Sequence, residues 1–307
     1  MISVIALSPC LDINFYVDEL IYDDVNKVVL EKKWPSGKGI DVARAILGLG
    51  GEATVFGFIG GYRGLELESM LINEGIVCDF VRVNSETRSN ITIQQKNKRL
   101  KTLLATHDLV VSPVDISIFL EKIRAMNANN MVIISSGHPK GINELLFYQI
   151  ITMLKEKGVK VVFDADGNAL QKVIDAHPYM IKPNIHEFSR LIKKQVAQVD
   201  EIVEAAMPLL EKVDLIVVSM GAKGAIAITK EKVLHAVPPT VKVRSSMGAG
   251  DYLIAGMTFL LSCGDDIENA LVLGVACGTA ATLRQEQHPL AKKEVEEIKK
   301  NVIIKKF

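Results

Sequence analysis

The stretch MVIISSGHPKGINELLFYQIITMLKEKGVKVVFD, residues 131–164, decides the fold class. Met131–Ser135 and Val159–Asp164 are short β-rich apolar runs that stop at Ser and Asp. Asn143–Lys157, between them, carries apolar residues at helical spacing. Strands apolar on both faces and alternating with helices indicate parallel strands buried between helix layers. The rhythm extends outward. Ser3–Leu7, Thr54–Ile59, Met180–Lys182, Leu215–Ser219 and Ala225–Thr229 read as strands. Gly39–Gly48, Leu65–Glu74, Asp115–Ala128, Ile185–Lys193 and Val199–Val213 read as helices. The expected fold is α/β: a doubly wound, mainly parallel sheet flanked by helices. In such sheets ligands bind beyond the carboxyl ends of strands, so motifs just after strands carry the most weight.

Two segments break the rhythm. Ile13–Leu20 with Lys27–Lys33, and Asn90–Gln95 with Leu100–Ala105, read as hairpins turning at Tyr22–Asn26 and Lys96–Arg99. No helices follow to cover them. They predict either a small β-sheet standing off the core, as a lid or dimer surface, or ordinary surface hairpins. The first reading divides the chain into a core of 1–11, 36–86 and 107–307 and a small sheet of 12–35 and 87–106.

Composition narrows the function. Lys and Arg total 36 against 36 Asp and Glu, without the basic excess that nucleic acid or a membrane surface would require. The four cysteines, Cys10, Cys78, Cys263 and Cys277, form no CxxC pair, which fits a reducing cytoplasm. Met1–Pro9 lacks the basic region and cleavage site of a signal peptide, and the longest apolar stretches, Tyr252–Cys263 and Leu271–Leu283, are too short for a membrane helix.

The strongest local motif is Ser245-Ser246-Met247-Gly248-Ala249-Gly250-Asp251, which leads directly into the apolar helix Tyr252–Ser262. Glycines there let successive N–H groups point at one spot, and the helix adds its positive dipole end. That is an anion hole suited to phosphoryl transfer, and Asp251 could take a hydroxyl proton as base. Alone, the motif reads sooner as an N-capping Asp after a glycine turn. Pro35-Ser36-Gly37-Lys38-Gly39-Ile40-Asp41 is a second glycine turn feeding a helix, without Walker A spacing. Gly48–Ala53 follows a helix rather than a strand and is a helix C-terminal turn, not a dinucleotide fingerprint. In Lys182-Pro183-Asn184-Ile185-His186-Glu187, Asn184 and Glu187 are spaced to order waters around Mg²⁺, or simply to form a capping box.

Together these residues resemble the PfkB group of ribokinase-like carbohydrate kinases, in its phosphofructokinase and tagatose-6-phosphate kinase branch. The resemblance runs in order through Ser8–Asp12, Asp24–Lys27, Gly37–Gly39, Thr87-Arg88, Lys182–Glu187, Ser219–Gly224 and Gly248–Asp251. It implies ATP and Mg²⁺ as cofactors, and transfer to a primary hydroxyl of a ketohexose phosphate with Asp251 as base and Gly248, Ala249 and Gly250 as the anion hole. It assigns Asp12, Gly37, Gly39 and Asp41 to the sugar. Lys38 and Arg88 go to the existing phosphate, and Lys27 to the phosphate of the same or a neighbouring subunit's substrate. Lys182, Asn184, Ser219, Gly221 and Gly224 go to ATP, Asn184 and Glu187 to Mg²⁺ through water, and the two apolar helices after Asp251 to the adenine wall. It also implies a cytoplasmic homodimer formed through the lid. Fructose 1-phosphate, tagatose 6-phosphate and fructose 6-phosphate are the candidate substrates, in that order. The alternatives are a kinase of an unphosphorylated sugar or nucleoside, or a non-catalytic sugar-phosphate-binding regulator.

Two departures fall at the sugar end. Asp41 stands where the family has Asn, and an ionised Asp only accepts hydrogen bonds and adds negative charge. Gly137 stands where the family has a phosphate-donating Ser, followed by His138.

Overall fold

The computed structural model describes residues 1–96, 100–126, 131–137, 139–164, 168–284 and 290–307. The expected turn at 97–99, the end of the helix at Ala128, and His138 lie outside them. In chain order the first half contains β1 (Ile2–Ala6), β2 (Cys10–Val17), β3 (Leu30–Ser36), α1 (Lys38–Gly48), β4 (Ala53–Gly60), α2 (Gly61–Asn73), β5 (Val77–Val83), β6 (Ser89–Gln95), β7 (Leu100–Ala105), α3 (Pro113–Ala125), β8 (Met131–Ser135), α4 (Glu144–Glu156) and β9 (Lys160–Asp164). The second half adds α5 (Asn168–Val173), β10 (Met180–Ile181), α6 (Ile185–Leu191), α7 (Val199–Ala206), β11 (Leu215–Ser219), β12 (Ala225–Ile228), β13 (Val233–Val237), α8 (Ala249–Ser262), α9 (Ile267–Thr282), α10 (Lys292–Lys299) and β14 (Ile303–Lys306).

The fully buried pattern of residues 131–135 and the buried 161–164 place β8 and β9 side by side and parallel, pairing Met131 with Lys160 through Ser135 with Asp164. The large sheet runs β14-β13-β12-β11-β10-β9-β8-β1-β4-β5. From β11 to β5 every pairing is parallel. The chain passes from β1 outward to β4 and β5, then returns to β8 on the other flank of β1. That reversal opens a crevice at the carboxyl ends of β1 and β8. The expected strand at Ala225–Thr229 is present as β12, but it runs antiparallel to β11, because only the tight turn Met220–Gly224 separates them. β13 and β14 extend this antiparallel end.

Alternation within the strands splits the apolar interior in two. Val4, Ile133, Val162 and Val217 pack with Ile40 of α1, Ile254 and Met257 of α8 and Cys277 of α9. Ile5, Ile134, Phe163 and Val218 pack with Phe119 of α3, Phe147 of α4 and Phe188 of α6. Helices therefore cover both faces, as parallel strands require.

The two hairpins form one separate sheet, in the order β3-β2-β6-β7. The strand joining them is a parallel match of β2 to β6, with Leu11 opposite Ser89 and Asp12 opposite Asn90. The flanking pairs β2–β3 and β6–β7 are antiparallel. All six residues of β7 are exposed.

Candidate active site

α8 begins on Gly248, whose left-handed backbone (φ 77°) turns the chain sharply into the helix. Glycine there brings no side chain to cap the helix start. Asp251 lies in the first turn and is 8 % exposed. The local reading of Asp251 as an N-cap is therefore replaced: Gly248 holds that position, three residues earlier.

The Lys182 ammonium approaches the same turn. A Cβ built on Gly250 would stand 3.0 Å from Lys182 Nζ, so glycine is what admits the cation. Lys182 is held by Asp164, the last residue of β9, at 3.3 Å, with both side chains 5 % exposed. A buried cation so anchored, beside the start of a helix, concentrates positive potential at one point.

Asn184 and Glu187 do form the capping box of α6. Asn184 Oδ1 accepts from the His186 and Glu187 amides at 3.0 Å, and Glu187 Oε2 accepts from the Asn184 amide at 2.8 Å. Both also face a cavity of about 660 Å³, so capping fixes their orientation rather than competing with a site role.

That cavity gathers Lys38, Lys182, Asn184, Glu187, Ser219, Gly221, Gly224, Ala249, Gly250 and Asp251. One wall is apolar or small, with Leu253 from α8, Val275, Gly278 and Thr279 from α9, and Pro238–Val241 after β13, and Asp164 and His186 also line the cavity. The Pro238–Val241 wall and Asp164 carry no motif that sequence reasoning could single out. Asp164 is marked only by ending a strand.

The other expected residues collect beyond that cavity, at the β1–β8 crevice. A Cβ on Gly37 (φ 125°) would meet Pro9 Cα at 3.3 Å, and one on Gly39 would meet Ala6 Cβ at 2.5 Å and the Ser135 carbonyl at 3.0 Å. The glycine turn thus seats the start of α1 on the ends of β1 and β8. Asp12 accepts from Asn90 Nδ2 at 2.8 Å, and Arg88 Nη1 donates to Asn90 Oδ1 at 3.1 Å. Asn90 was not among the expected residues; only the parallel β2–β6 register reveals that it links two that were. Lys27 lies apart, exposed in the loop between β2 and β3. Around Gly137 a Cβ would meet nothing within 4 Å.

Asp41 is 3 % exposed on α1. Burial pushes its carboxyl well above the usual range, Asp251 adds to this, and Arg44 opposes it. Burial and the Asp12 carboxylate push the Cys10 thiol up to about 12.

Nearly the whole chain matches one family model. Residues 1–293 fit the pfkB family carbohydrate kinase model. The chain belongs to the pfkB family of carbohydrate kinases. It is a phosphotransferase with an alcohol group as acceptor. A 1-phosphofructokinase of Bacillus subtilis is 29 % identical over 287 residues, covering 93 % of this chain and 94 % of the relative. A tagatose-6-phosphate kinase of Staphylococcus epidermidis is 27 % identical over 306 residues, 98 % of each chain. The structure of phosphofructokinase-2 from Escherichia coli in complex with fructose-6-phosphate superimposes with a TM-score of 0.88 at 28 % identity, covering 97 % of this chain and 98 % of that one. Among the described residues, no helix of this pfkB member is long and apolar enough to cross a membrane.

Proposed function

We propose that this kinase transfers the γ-phosphoryl group of ATP to a primary hydroxyl of a ketohexose phosphate. The observation that carries the reading is the meeting of Lys182, the Gly248–Gly250 turn and Asp251 at one end of a nucleotide-sized cavity. Asp251 takes the proton of the attacking hydroxyl. The amides of the Gly248–Gly250 turn and the Lys182 ammonium face the charge that develops on the phosphoryl group. Ser219, Gly221, Gly224 and the α8–α9 wall hold the nucleotide, with the adenine against Leu253 and Val275.

Among the described residues no three His, Cys, Asp or Glu gather to hold a metal. Mg²⁺ instead suits a site of one carboxylate, waters and nucleotide phosphates, and Glu187 with Asn184 supplies the protein side. When bound it would neutralise phosphate charge.

At the other end Asp12, Gly37, Gly39 and Asp41 take the sugar, while Lys38 and Arg88 take its existing phosphate. Arg88 suits this by its planar fork. The relatives' names support fructose 1-phosphate and tagatose 6-phosphate as first candidates, followed by fructose 6-phosphate. Residues 12–35 and 87–106 act as a lid on the core. Exposed Leu100, Leu103 and Leu104 favour pairing with a second copy through it, which would bring Lys27 towards a neighbouring subunit's substrate. A cytoplasmic setting fits the four free cysteines.

The test is ADP release with a panel of ketose phosphates and free sugars. Turnover of a ketose phosphate is expected. Turnover of unphosphorylated compounds alone would overturn the substrate class.

A further inference from the structure

The turn between β11 and β12 meets the cavity with small residues and is tied down from behind. Met220, Gly221, Ala222 and Gly224 line the cavity, and Gly221, Ala222 and Lys223 are exposed. The Met220 amide donates to the Gly224 carbonyl at 2.8 Å and the Gly224 amide to the Gly221 carbonyl at 2.9 Å, bonds that fix the turn's internal shape. Its placement comes from neighbouring elements. At its start the Ser219 amide donates to the Pro183 carbonyl at 3.1 Å, in the loop that carries Lys182 and Asn184. At its end a Cβ on Gly224 would stand 1.9 Å from the Ala236 carbonyl, so the chain lies directly against β13. One residue earlier, the Lys223 carbonyl lies 2.8 Å from Nε2 of His235, a β13 side chain that is 8 % exposed. A carbonyl only accepts, so Nε2 bears the proton. A buried ring nitrogen costs desolvation that an apolar β-branched residue in this strand would avoid. The bond to the turn is what the histidine adds.

We propose that His235 is a positioning residue for the nucleotide. It is not one of the cavity-lining side chains. By holding the Lys223 carbonyl it fixes where the Met220–Gly224 turn stands, and so where that turn's backbone meets the bound nucleotide. The nucleotide in this statement rests on the kinase reading above; the tie between His235 and the turn does not.

His235→Gln and His235→Asn separate the bond from the bulk of the ring. Counted along the side chain, the Gln amide nitrogen takes the place of Nε2 and can donate to Lys223, whereas the Asn amide nitrogen takes the place of Nδ1 and falls short. Calorimetric titration of the full chain with ADP and Mg²⁺ is expected to give Gln an affinity within about twofold of wild type, and Asn one about three- to tenfold weaker, the worth of one hydrogen bond. In steady-state assays the KM for ATP should rise in the Asn variant by a similar factor, while kcat and the KM for the ketose phosphate hold. A merely structural tie would lower the melting temperature of the Asn variant and leave its ADP affinity unchanged. That result, equal losses for both substrates, or a Gln variant as weak as Asn would overturn the proposal. A wild type that binds no ADP would instead overturn the kinase reading, and the proposal with it.

Discussion

Asp251 and Lys182 both lie at the same glycine turn, one carried by α8 and one by the loop after β10. In the proposed mechanism a base at that point removes a proton only in the reaction, whereas the nucleotide is held by other residues. Asp251→Asn is therefore expected to lower kcat by about 10²- to 10⁴-fold, with nucleotide affinity by calorimetry within about threefold of wild type. Near-normal turnover, or loss of nucleotide binding alongside turnover, would overturn the assignment of Asp251 as base. Much of this end of the site was legible, because glycines, a helix start and an acidic residue lie within seven consecutive positions. The groups that hold its charges were not. Asp164 meets Lys182 only once β9 and β10 pair, and Arg44 meets Glu74 across 30 residues. Residue identity likewise gave no sign of how deeply Asp41 is buried.

Two apolar helices, α8 and α9, form one wall of the cavity by lying unusually close. A Cβ on Gly274 would meet Met257 Cγ at 2.5 Å and the Leu253 carbonyl at 2.7 Å; one on Gly278 would meet the Ala249 carbonyl at 2.8 Å. Gly274→Val should separate the pair and cost about 1–3 kcal/mol through overpacking, read as a lower denaturant midpoint. Because Leu253 and Val275 line the cavity, the KM for nucleotide should rise with it. An unchanged midpoint would show that the helices can part without cost. At this scale the central strands and their helices were readable, since continuous apolar runs buried on both faces have few other uses. The margins were not. β14 is a four-residue strand with three exposed residues, and β5 is an edge strand whose apolar run is interrupted by Asp79 and Arg82.

In the small sheet β7 is exposed along its whole length and carries Leu100, Leu103 and Leu104 at half exposure or more. Light scattering after size exclusion is expected to give twice the 33.7 kDa chain mass for wild type and one chain mass for Leu103→Lys, with reduced turnover in the variant. A monomeric wild type would overturn the pairing. The parallel match of β2 to β6 has a mechanical corollary. Asp12, Asn90 and Arg88 lie at its root, where β2 leaves the core, while Val17 and Gln95 lie five residues farther out, about 17 Å along the strands. A rigid rotation of this sheet about its root is thus a lever with unequal arms. The tip would sweep a long arc while the side chains near the fulcrum, those proposed to meet the sugar, would travel only a short one, so opening wide enough to admit a substrate would leave their aim nearly unchanged.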